Sequence, residues 1–160
     1  MHRRALLASL GATATLSAGC LTTVTDRLDQ SVQLGWFGAH NLDSEVRQFE
    51  LRVEKGETQV HDSTHIIQPK EDNHVHGAVA DCTWGSASGD YTVFARVDDN
   101  DWVEESLTEF AASWNSDVDC VIADAMYHPE GGLRISLGNG CDRHYDRMCS
   151  FTDQSTRTPT

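Results

Sequence analysis

Cys141, His144 and Met148 stand together in the stretch Cys141-Asp142-Arg143-His144-Tyr145-Asp146-Arg147-Met148, which puts a thiolate, an imidazole and a thioether on one short loop. Copper takes that donor set when a second imidazole joins from elsewhere, and His40 is the upstream candidate. His74 and His76 flank Val75 and fall on one face of an extended chain, about 6.6 Å apart at roughly 3.3 Å per residue. Such a pair suits a shared zinc or copper ion. His61 and His65 lie about 13 Å apart by the same rise and cannot share an ion unless the chain bends at Asp62-Ser63. Asp98-Asp99-Asn100-Asp101 gathers oxygen donors for a hard cation but lacks the glycine and the distant glutamate of a calcium loop. A tight hairpin turn accounts for the same residues, because Asp and Asn tolerate left-handed backbone.

The Cys-x2-His-x3-Met string resembles the copper loop of cupredoxins, which implies an exported electron-transfer or metal-carrier protein built on a β-sandwich, with Cys141 reduced. The competing use of Cys141 is a disulfide. Catalytic signatures are missing: the chain has no Gly-x-Ser-x-Gly elbow, no His-Glu-x-x-His and no phosphate-cradling glycine loop. The adjacent acids Glu104 and Glu105 alternate across a strand and face opposite sides. No enzymatic activity and no cofactor are expected.

Alternation positions these side chains. Val32, Leu34 and Trp36 share one face of 31–38, and Phe49, Leu51 and Val53 alternate with Gln48, Glu50, Arg52 and Glu54. Lys55-Gly56-Glu57 turns the chain into short runs over 58–61 and 64–68. The segments 74–84 and 90–98 follow, and 102–107 returns after the Asp98–Asp101 turn. Leu107, Phe110, Ala111 and Trp114 suit a turn or two of helix over a sheet edge. Val121–Tyr127 and Leu133–Leu137 fold back about His128-Pro129-Glu130-Gly131-Gly132, which sets Cys120 opposite Cys141 and leaves Cys82 for Cys149. Each bridge adds on the order of 3 kcal/mol. A zinc site of four thiolates wants close Cys-x-x-Cys pairs, which these spacings do not provide.

Seven to nine short strands with frequent turns predict an all-β fold, an antiparallel β-sandwich. Asn41-Leu42-Asp43 with Phe49-Glu50-Leu51-Arg52-Val53, and Gly89-Asp90-Tyr91-Thr92-Val93 with Ala95-Arg96-Val97-Asp98, resemble strands B and F of immunoglobulin-like domains. The expected organisation is an export signal over 1–19, a lipid anchor and tether over 20–30, the sandwich over 31–149 and a disordered tail over 150–160.

That first segment, Arg3-Arg4 with a mild apolar stretch and Leu16-Ser17-Ala18-Gly19-Cys20, resembles a twin-arginine export signal with a lipobox, which implies a diacylglycerol on Cys20. The apolar stretch is shorter than the roughly 20 residues of a membrane span. The whole chain carries 12 basic and 25 acidic residues. Cleavage before Cys20 removes two arginines and no acid, so the net charge falls from −13 to near −15. That charge repels nucleic acid and anionic headgroups. Acid-rich and lysine-poor, with Lys55 and Lys70 alone, the chain resembles proteins of haloarchaea. Together these features predict a non-enzymatic lipoprotein at the extracellular face of the membrane, held through Cys20, with an unknown protein or glycan partner. The alternatives are the copper protein and a carbohydrate-binding module. The latter would present Trp36, Trp84, Trp102 and Trp114 as an aromatic strip on one sheet face.

Overall fold

The computed structural model describes residues 31–114, 117–141 and 149. Among these residues eight strands and one helix follow in order: β1 (Gln33–Asn41), β2 (Arg47–Lys55), β3 (Thr58–Ile67), β4 (His76–Val79), β5 (Tyr91–Val97), β6 (Val103–Ser106), α1 (Leu107–Ser113), β7 (Cys120–His128) and β8 (Gly132–Asn139). They form two four-stranded sheets, β4-β1-β7-β8 and β3-β2-β5-β6. The sheets pack face to face as an all-β sandwich. One pairing departs from the antiparallel expectation: β1 runs parallel to β7, from Gln33 beside Cys120 to Asn41 beside Tyr127. Parallel neighbours need a long connection, and the intervening chain supplies it by building the whole second sheet.

Period-two burial assembles the core. Phe49, Leu51 and Val53 of β2 and Tyr91, Val93 and Ala95 of β5 are fully buried, against Leu34, Phe37 and Ala39 of β1 and Val121, Ala123 and Ala125 of β7. Their alternate neighbours face outward, where Arg96 meets Glu50 at 2.8 Å and Trp102 stacks on the Arg52 and Arg96 guanidinium groups at 4.2 and 4.8 Å. The buried Tyr91 hydroxyl donates to the Ala87 carbonyl four residues upstream at 2.8 Å, which ties the start of β5 to the preceding connection. The two short runs expected around Asp62-Ser63 are one continuous strand, β3. The run expected over 74–84 shortens to β4 because His74 is held in a bridge with Glu71. Helix α1 is capped by the Ser106 hydroxyl, which accepts from Glu109 N, and it buries Leu107 and Ala111 against the sheet edge.

Two buried polar residues turn the chain from the first sheet to the second. The Asn41 amide nitrogen donates to the carbonyls of Glu45, Ile67 and Gln68 at 2.8, 3.2 and 3.1 Å, and its oxygen accepts from Asp43 N at 3.0 Å. Asp43, 5 % exposed, receives Arg47 through two nitrogens at 2.6 and 2.9 Å. That hydrogen bonding holds the Asp43 carboxyl below the usual carboxylate range. Arg47 also reaches Asp98 at 2.9 Å, so one guanidinium ties two turns together. Asn41→Ala is expected to cost about 3 kcal/mol, because it strands several buried backbone groups at once. Urea denaturation measures it, and an unchanged midpoint would show that water replaces the amide.

Candidate functional site

Strand β3 is an edge strand, and across the sandwich β4 is the edge of the other sheet. The connection that follows β4 brings Asp81 and Thr83 beside β3. His61, Ser63 and His65 occupy alternate positions of β3 and share its inward face, since Val53, Leu51 and Phe49 are their partners in register. Where Val53 pairs with His61 and Glu54 with Gln59, Val60 is the extra residue of a bulge. Bulges leave backbone groups unpaired, and the Val60 carbonyl accepts from the Thr83 hydroxyl at 2.9 Å.

Hydrogen-bond polarity then follows from a single proton. Thr83 spends its hydrogen on Val60, so its oxygen accepts from His61 Nδ1–H at 2.9 Å. His61 Nε2 is left with a lone pair and accepts from the Ser63 hydroxyl at 2.8 Å. Ser63 Oγ, its hydrogen used, accepts from His65 Nε2–H at 2.9 Å. This fixes the Nδ1–H tautomer of His61 and the Nε2–H tautomer of His65. The His61 ring stands edge-on to Trp84 at 5.4 Å, whose own N–H donates to the Leu34 carbonyl at 2.7 Å. A cavity of about 440 Å³ opens over the cluster, lined by Gln59, Val60, His61, Asp62, Ser63, Asp81 and Thr83.

The spacing of about 13 Å expected for His61 and His65 along the strand does not describe their rings. The strand remains extended while the side chains lean toward each other, and both Nε2 atoms lie within 2.9 Å of Ser63 Oγ. Burial pushes both imidazoles below their ordinary 6.5, partly offset by the Asp81 carboxylate. The folded chain therefore binds fewer protons than the unfolded chain between the lowered values and 6.5, so stability rises with pH across that window. Acidification from pH 7 to 5 is expected to lower the urea midpoint, and His61→Gln with His65→Gln should flatten that dependence. An equal loss in the double variant would place its origin elsewhere.

The other sequence candidates are distributed. His74 and His76 do come together, with ring centroids 4.4 Å apart and Glu71 Oε1 at 3.8 Å from His76 Nε2. Among the described residues, no group of three or more His, Cys, Asp or Glu side chains is placed to hold a metal ion. Asp98 and Asp99 have φ of 50° and 60°, and Asp98 accepts from Gln48 N and Arg47. Its carboxylate is therefore occupied in closing a turn. Cys120 and Cys141 stand at disulfide distance with Cα atoms 5.7 Å apart, and Cys82 and Cys149 at 5.6 Å. Cys141 is thus committed to a partner sulfur instead of a copper ion. His40, the candidate upstream ligand, bonds Asp124 through Nδ1 at 2.8 Å. His144 and Met148 lie outside the described residues, as do Arg3, Arg4 and Cys20.

The tryptophans form no common strip. Trp84 is buried, Trp36 and Trp102 lie on the outer faces of opposite sheets, and Trp114, 47 % exposed, follows the helix. Sequence reading split His61 and His65 between two short runs, and nothing in it pointed to Thr83, which a connection of some twenty residues returns to β3. No protein family, curated protein or solved structure matches this chain.

Proposed function

We propose that this chain is an exported, lipid-anchored and non-enzymatic β-sandwich that serves as a binding component of the cell envelope. The observation that carries the reading is the pairing of all four cysteines beyond Cys20 at disulfide distance. Disulfides persist in oxidising compartments, and with these four paired Cys20 is the odd thiol, in the lipobox-like setting of 16–20. The acid-rich surface supports a salt-adapted setting. Among the described residues, no helix is long and apolar enough to cross a membrane, so in this reading the lipid is what holds the domain.

Cys20→Ser tests the reading. In cells making the full chain, the wild type is expected in the membrane fraction with a diacylglycerol mass on its N-terminal peptide. The variant is expected to lose that mass and leave the membrane fraction. Wild-type protein that stays in the cytoplasm with free thiols would overturn the proposal.

A further inference from the structure

The contact between β3 and the connection after β4 holds an arrangement that neither the anchor nor the sandwich requires. His61 Nε2 and His65 Nε2 converge on one point, now occupied by the Ser63 hydroxyl, at 2.8 and 2.9 Å. Two imidazole nitrogens that share one oxygen lie within about 6 Å of each other. His61 already aims its lone pair at that point, because Thr83 holds its Nδ1–H. His65 presents a second lone pair there once its proton moves to Nδ1, which needs no backbone change. Asp81 acts electrostatically on both rings and shares the cavity wall with Ser63.

We propose that His61 and His65 form a binding site for a divalent first-row transition ion, copper(II) most tightly, seated where their Nε2 atoms meet. The donor set selects the ion. Imidazole nitrogen suits copper, nickel and zinc, affinity peaks at copper(II), and calcium or magnesium would demand an oxygen cage. Two imidazoles occupy two positions, water fills the others from the open cavity, and the Asp81 carboxylate offsets the charge. Ser63 yields its place and is a spacer: it keeps the two rings converged in the empty site. Thr83 is a positioning residue, since the ion never touches it and its bond to Nδ1 orients the ring, as outer partners of ligating histidines do. The pair differs from His74 and His76, whose rings meet edge to face with centroids 4.4 Å apart.

The test is a titration of the full chain, labelled at histidine, with copper(II) chloride near pH 7, followed by NMR of the ring protons. The His61 and His65 signals are expected to broaden first at substoichiometric copper. His65→Gln keeps a donor toward Ser63 and so preserves the fold. It is expected to raise the copper concentration needed for broadening at His61 by about tenfold or more. Ser63→Ala should still bind, while His74→Ala with His76→Ala should leave the His61 and His65 response unchanged. First broadening at His74 and His76, or a wild-type response in His65→Gln, would overturn the site.

Discussion

Gly35→Ala is expected to leave Cys120 and Cys141 unjoined and to destabilise the domain by on the order of 5 kcal/mol, combining overpacking with the loss of a crosslink. Gly35 is the extra residue where the β1–β7 register shifts between Leu34 and Trp36. A Cβ there would fall within 3.0 Å of both the Cys141 and Cys120 sulfurs, closer than real Cβ atoms approach. The neighbours cannot yield cheaply. The sulfurs sit between two strands, and the Gly35 carbonyl accepts from Cys149 N at 3.3 Å, so a shift of Gly35 would also disturb the second cysteine pair. Thiol titration of the purified variant should find two accessible cysteines that the wild type lacks, and urea denaturation should show the loss. A variant with no free thiol and the parent's midpoint would mean that the bulge repacks around the methyl group.

The second large effect is expected from Cys82→Ser with Cys149→Ser. These residues are 67 apart in sequence, against 21 for Cys120 and Cys141. Loop-closure entropy then assigns about 4 kcal/mol to the long bridge and about 3 kcal/mol to the short one. The longer loop runs from just after β4 through the whole of β5, β6, α1, β7 and β8, so cutting it frees more of the unfolded chain. The double variant should unfold at lower urea than Cys120→Ser with Cys141→Ser. The reverse order would show that native packing, and not the unfolded ensemble, sets the value of each bridge.

Elements whose determinants are local could be read from the sequence. Tyr91–Val97 alternates without interruption, and the His128–Gly132 turn fixes the register that brings Cys120 to Cys141. Nonlocal features were not legible. Nothing near Gln33 or Cys120 announces that β1 lies parallel to β7, because that pairing follows from where the second sheet sends the chain. The candidate site failed in the same way. Spacing along β3 measures Cα separation, whereas His61 and His65 meet through side-chain tilt over Ser63. The proton ordering depends on Thr83, which belongs to a different connection. The rings of His74 and His76 also meet for a nonlocal reason, since His74 lies outside β4 and is placed by its bridge to Glu71.

The layout of the crosslinks gives the sandwich two ends of different character. Gln33, where the chain enters β1, lies beside Cys120, and the Cys120–Cys141 and Cys82–Cys149 pairs gather around Gly35 at that same end. The opposite end, about 25 to 30 Å away along a nine-residue strand, is closed by Asn41 and by Arg47 bridging Asp43 and Asp98. Reductants therefore loosen the end where the chain enters β1, whereas competing ions loosen the far end. The domain would fray first at the Asn41–Arg47 end in concentrated salt and first at the Gly35 end under reduction, so each stress leaves its own fragment for limited proteolysis to find.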